Sequence, residues 1–105
     1  MNKETAILSA LEEVKDPEVG ANIVDLGLVY GIDAEADGTA VIRMTLTIPE
    51  CPLADDIVRD VKNAALSVSG VNDVRVRLVW EPKWTPAMMN DNAREEIRAL
   101  RQAGH

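Results

Sequence analysis

Apolar residues recur along this chain with two different periods, and the changes between them lay out the fold. From Lys3 to Val14 the period is helical: Ile7, Leu8, Leu11 and Val14 fall three and four residues apart, with Glu12 and Glu13 turned outward. Lys15-Asp16-Pro17 ends this helix, because a residue before proline avoids the helical region. The loop that follows, through Asn22, carries two carboxylates close together, Asp16 and Glu18. From Ile23 to Ala34 the pattern alternates as in a strand, with Leu26, Leu28, Tyr30 and Ile32 on one face. Gly27 and Gly31 fall on the other, where they leave room for a neighbour or mark a bulge. Asp37-Gly38 predicts a hairpin. The returning strand, Thr39 to Ile48, puts Ile42, Met44, Leu46 and Ile48 on one side and Val41, Arg43, Thr45 and Thr47 on the other.

The helical period returns from Pro52 to about Val68, with Leu53, Ile57, Val61, Ala64, Ala65 and Val68 inward, and Ser69-Gly70 as the stop. Val71 to Trp80 reads as a third strand, with Val74, Val76, Leu78 and Trp80 inward and Arg75 and Arg77 outward. The prolines of Glu81-Pro82-Lys83-Trp84-Thr85-Pro86 rule out a central strand there. Thr85-Pro86 starts a last helix over about 86–103, with Thr85 as cap and Met89, Ala93, Ile97 and Leu100 as its apolar stripe. Trp80 is expected in the core, and Trp84 to pin the last helix through Met88. The order α-β-β-α-β-α predicts an α/β (α+β) two-layer sandwich: one domain over residues 1–105, a small mixed sheet, and helices on one face. A helical crossover makes the second and third strands parallel.

Composition narrows the function classes. With Tyr30, Trp80 and Trp84 as the only aromatics, the core must be aliphatic. A formal charge of −7 argues against nucleic acid, whose phosphates need a concentrated basic surface. The nearest candidate, Arg43 with Arg75 and Arg77, alternates on strands and reads as a solvated sheet face. No stretch approaches a membrane span, and the N-terminus lacks signal-peptide character. One cysteine cannot form an internal disulfide, which makes a reducing cytoplasm the natural setting.

That cysteine, Cys51, stands where strand periodicity gives way to helix periodicity. Pro52 fits the first helical position, which puts Cys51 at or next to the N-cap, facing unpaired amides and the positive end of the helix dipole. The thiolate is the form that attacks or binds metal. Glu50, Asp55 and Asp56 oppose the dipole, and the alternative reading of Cys51 is a small buried hydrophobe. A Cys–His dyad is disfavoured because His105, the only histidine, is the last residue. A metal site within one chain is also poorly supplied, since structural zinc and iron–sulfur sets need three or four Cys or His ligands. Iron held through Cys51 must be completed by a second subunit, a client or a small thiol. Asp16, Glu18 and Asp25 could add oxygen ligands, or could be a loop cap, a solvated glutamate and a turn aspartate. Thr47 could hydrogen-bond near the thiol or be a plain strand residue.

Three motifs in order, Asp16-Pro17-Glu18, Asp25-Leu26-Gly27-Leu28-Val29-Tyr30 and Thr47-Ile48-Pro49-Glu50-Cys51-Pro52-Leu53, resemble the MIP18 family, formerly the domain of unknown function 59. The tail Trp80-Glu81-Pro82-Lys83-Trp84-Thr85-Pro86-Ala87-Met88-Met89 resembles its stand-alone bacterial members, SufT-like maturation factors and PaaD-like proteins of the phenylacetate pathway. The resemblance implies an iron–sulfur cluster assembly fold. It also implies assistance in assembling or delivering clusters, without turnover of a metabolite. The functional cluster it carries over is Cys51, Asp16, Glu18 and Thr47, with Asp25 as a weaker fifth. Cys51 would be a transient ligand shared with a partner, and the cofactor a transient iron or iron–sulfur cluster with none permanently bound. The implied partners are scaffold or carrier proteins and client proteins, and a homodimer would bring two copies of Cys51 together. Ile48 and Glu50 depart from the family pattern of a second hydroxyl residue and a small residue before the cysteine. PaaD-like proteins tend to carry C-terminal cysteines, absent here, which favours the SufT-like reading over a scaffold subunit of a multicomponent oxygenase.

Overall fold

The computed structural model describes residues 2–17, 19–48 and 50–103, with side chains described up to residue 99. The elements run in the order α1 (Lys3–Leu11), β1 (Val29–Ala34), β2 (Thr39–Met44), α2 (Ala54–Leu66), β3 (Asp73–Leu78) and α3 (Asp91–Ala103), with a short 3-10 turn at Pro86–Met88. The sheet order is β1-β2-β3, with β1 antiparallel to β2 and β2 parallel to β3. This is the expected small mixed α/β domain.

Residues on one face of the sheet, Ala40, Ile42, Met44 and Val74, are buried together with Ile7 and Leu11 of α1 and Ile57, Val61 and Ala65 of α2. The alternate strand positions, Arg43, Arg75 and Arg77, point away and are exposed. The hairpin forms at Asp37-Gly38. Gly38 takes φ +93°, and a Cβ there would strike the Asn72 side chain, so this turn needs glycine.

Several expected boundaries move. Residues 23–27 form a helical turn in place of a strand: Leu26 N–H donates to Asn22 O (3.0 Å) and Leu28 N–H to Ile23 O (3.0 Å). Asn22 caps that turn by accepting from Asp25 N–H at 2.9 Å, and Gly27 ends it at φ +81°. A register shift between Val29 and Gly31 then makes the bulge that glycine hinted at, and Val29 rather than Tyr30 pairs with Met44. The first helix stops at Leu11, although Val14 remains buried.

Strand β2 ends at Met44, four residues short of the expected Ile48, which is 44% exposed. Strand β3 ends at Leu78, and Trp80, expected in the core, is 41% exposed. The reason is coverage: α2 buries Val74 near the start of β3, while Leu78 and Trp80 beyond it are left open. The last helix starts at Asp91. Its cap is Asn90, whose Oδ1 accepts from Ala93 N–H at 3.0 Å, while the Thr85 side chain makes no capping bond.

Candidate functional site

Topology gathers the singled-out segments at one end of the sheet. Because β1 runs against β2 and β3 runs with it, the entry to β1 and the exits from β2 and β3 share that end. Hydrogen bonds tie the three segments together there: Thr45 N–H to Leu28 O (2.9 Å), Val79 N–H to Met44 O (2.8 Å) and Ile23 N–H to Val14 O (2.9 Å).

Asp16 sits in the first segment at 1% exposure, the most buried carboxylate-bearing residue described. Its N–H donates to Ala21 O at 3.0 Å, and its carbonyl accepts from Gly20 N–H at 2.7 Å. A bridge between Lys15 and Asn22 closes the loop around it. Glu18 lies outside the described residues.

Cys51 lies in the second segment at 7% exposure, a free thiol packed against the core. Its expected place at the helix N-cap is corrected: the N-cap is Leu53, and α2 starts at Ala54. A preliminary turn intervenes, in which Ala54 N–H donates to Cys51 O at 3.2 Å, and Leu53 at φ −101°, ψ 14° is still outside helical geometry. Pro52 therefore occupies this turn and not the first helical position. The cysteine's carbonyl meets the helix start, and the residue itself stands two positions before the N-cap. Asp55 and Asp56 do fall in the first turn of α2. Thr47 is half-buried and lines a cleft of about 270 Å³ with Thr45, Leu46, Trp80, Lys83 and Trp84.

Asp25 is committed elsewhere. One carboxylate oxygen accepts from Asn22 Nδ2 (2.7 Å), the other from Asn90 Nδ2 (2.7 Å), and the Asp25 carbonyl accepts from Asn90 N–H (2.9 Å). Trp84 Nε1 donates to Leu26 O at 2.7 Å, and Tyr30 Oη donates to Pro82 O at 2.7 Å. Residues 25–30 thus seat the C-terminal tail. Trp84 does pin that tail, through the Leu26 carbonyl; Met88 is reached instead by Tyr30 Oη, 3.6 Å from its sulfur. The two latch asparagines, Asn22 and Asn90, were missed; each stands three residues before the amide it caps, a legible capping signal.

Among the described residues, no group of three or more His, Cys, Asp or Glu side chains is placed to hold a metal ion. His105 lies outside those residues.

These elements define a small α/β domain with a lone cysteine between strand and helix. The family model described as iron–sulfur cluster assembly protein matches residues 4–78, and the chain belongs to that family. It is similar to the Fe-S protein maturation auxiliary factor YitW of Bacillus subtilis, 49% identical over 88 residues, covering 84% of this chain and 86% of that one. It is likewise similar to the Fe-S protein maturation auxiliary factor SufT of Staphylococcus aureus, at 40% identity over 77% of this chain and 92% of that one. The crystal structure of a domain of unknown function, DUF59, from Bacillus anthracis matches with TM-score 0.86 and 41% identity, covering 91% of this chain and 92% of that chain. The family read from the three motifs is thereby established.

Proposed function

We propose that this protein is an accessory factor that helps assemble iron–sulfur clusters or deliver them to client proteins. The cluster is cargo, and Cys51 supplies one thiolate to it while a partner supplies the rest. The observation that carries the reading is the ligand count at the gathered end of the sheet: one thiol, and among the described residues no set of side chains able to hold a metal ion. A resident cluster needs about four thiolates, so the residues described here do not fit one. They fit a donor that is complete only in a complex, and the maturation factors to which the chain is similar favour this over an oxygenase scaffold.

Within that scheme, each residue has a physical task. Cys51 must lose its proton to act as a ligand, and at 7% exposure only a small part of the residue is open to a partner. Asp16, Glu18 and Thr47 complete the functional cluster with Cys51. Asp25 holds the tail that walls the Thr47 cleft. The protein turns over no metabolite, and the reducing cytoplasm suits its lone thiol. In the described residues, no helix is long and apolar enough to cross a membrane.

The test is complementation of a strain deficient in cluster maturation. Cys51→Ser should fold, with an unchanged circular dichroism spectrum, and fail to restore client activity. Full restoration by that variant would sink the reading.

A further inference from the structure

The face of the sheet opposite the core carries a charge arrangement that neither the fold nor the proposed cargo site requires. The register places Arg43 beside Arg77 on adjacent parallel strands, with Arg75 two residues along the same face beside Val41. Neighbouring strands lie about 4.8 Å apart, and like charges directly opposite one another destabilise a sheet. A chain with 18 acidic residues against 11 basic ones has ample means to neutralise the pair. It does not: among the described residues the ion pairs involve Arg59, Arg75, Arg94 and Arg98, and neither Arg43 nor Arg77 takes part. Arg75 reaches Asp73 only at 3.9 Å.

Arg43 leans away from Arg77, over β1. The Arg43 guanidinium lies across Gly31, where any Cβ would collide with it, so the bulge glycine gives the side chain a flat seat. The carboxylates of this face, Asp33 and Asp73, lie toward the hairpin end, whereas Arg43 and Arg77 lie toward the exits of β2 and β3. That is the end where Thr47 and Cys51 sit. Among the described residues, α1 packs against β1 and α2 against β3, with their buried side chains in the core on the other face.

From this juxtaposition we propose that Arg43 and Arg77, flanked by Arg75, form a docking site for an acidic segment of a protein partner. The backbones of Arg43 and Arg77 stand one strand apart while the Arg43 guanidinium leans over Gly31 of β1, so the charges are spread across the face and suit glutamates repeated along one side of a helix. Each pairing can be bidentate, which gives direction as well as attraction. A protein helix fits better than nucleic acid, because three arginines offer too few phosphate contacts against a net charge of −7. The inference concerns where a partner lands and is independent of what Cys51 handles.

The experiment is a titration of the full isotope-labelled chain with an alanine-based helical peptide bearing glutamate pairs four residues apart, followed by amide chemical shifts. Shifts should centre on Gly31, Val41, Arg43, Arg75 and Arg77. The Arg43→Gln/Arg77→Gln variant should bind at least about tenfold more weakly, as should the wild type at high salt. Arg77→Gln alone, which leaves the Gly31 seat intact, should show part of the loss. The control Arg59→Gln/Arg98→Gln should bind as the wild type does. Equal weakening by the control, equal binding of a lysine-paired peptide, or unchanged affinity in a folded double variant would overturn the proposal. So would tighter competition by duplex DNA at the same residues, or self-association of the wild type that the double variant abolishes, since the occupant would then be nucleic acid or a second copy.

Discussion

Replacing Gly27 by alanine tests how tightly the C-terminal tail is seated on the loop before β1. Gly27 has φ +81°, and a Cβ there would lie 2.6 Å from the Met88 carbonyl oxygen and 3.0 Å from Met88 Cβ. Gly70 supplies the control, with φ +88° but only the flexible Lys3 tip nearby, Cε at 3.3 Å and Nζ at 3.4 Å. Alanine at either site bears the left-handed backbone cost, about 1–2 kcal/mol. At Gly27 it must also displace the backbone of the Pro86–Met88 turn, an overpacking cost of about 1–3 kcal/mol. Gly27→Ala should therefore exceed Gly70→Ala by about 1–3 kcal/mol, or roughly 4–24 °C in Tm at about 4–8 °C per kcal/mol for a domain near this size. Thermal and urea unfolding followed by circular dichroism read the difference. The Trp84 indole N–H resonance reports whether the tail has lifted from the Leu26 carbonyl. Equal losses within about 0.5 kcal/mol and an unmoved indole signal would refute the seat.

Other consequences are narrower. Trp84→Phe leaves the Leu26 carbonyl without its indole donor and should cost about 1–2 kcal/mol in urea unfolding. Asn90→Ala removes both the α3 cap and a bond to the Asp25 carboxylate; it should cost about 2 kcal/mol and speed amide exchange in the first turn of α3. Asp37 accepts from Thr39 N–H at 2.9 Å, and that backbone bond holds its carboxyl below the ordinary value of 3.8. The folded value is depressed, so the hairpin's gain is present above pH 3.8 and is lost as pH falls through the lower folded value. A side-chain carbonyl titration by NMR should find that midpoint below 3.8, and a midpoint at or above it would remove the bond from the account.

The strands and helices that bury a continuous stripe were legible because one physical rule, burial of a single face, decides them. Ile57, Val61 and Ala65 of α2 and Ala40, Ile42 and Met44 of β2 show it. The parallel pairing followed from the crossover helix. Periodicity failed where tertiary contacts decide. Leu26 and Leu28 alternate like strand residues, yet Asn22 caps a helical turn there and Gly27 ends it. Trp80 keeps the inward phase of β3 and is exposed, because nothing in the sequence states how far α2 reaches along the sheet. Of the candidate site, the lone thiol and the Asp16 loop could be read from motifs and spacing. Asp25 could not be told from a ligand by spacing, since its partner Asn90 is 65 residues away. The offset of Cys51 from the α2 N-cap depends on a preliminary turn that Pro52 permits but does not announce.

The central claim is that Cys51 donates one thiolate to a cluster that other ligands complete. Anaerobic reconstitution with iron and sulfide, read by visible absorbance and by size-exclusion chromatography, tests it most directly. Wild-type protein alone should show cluster absorbance only in a species of two or more chains, and added glutathione should let a single chain show it. Cys51→Ser should show none in either case. Cluster absorbance in the Cys51→Ser protein, or in monomeric wild type without added thiol, would contradict the account.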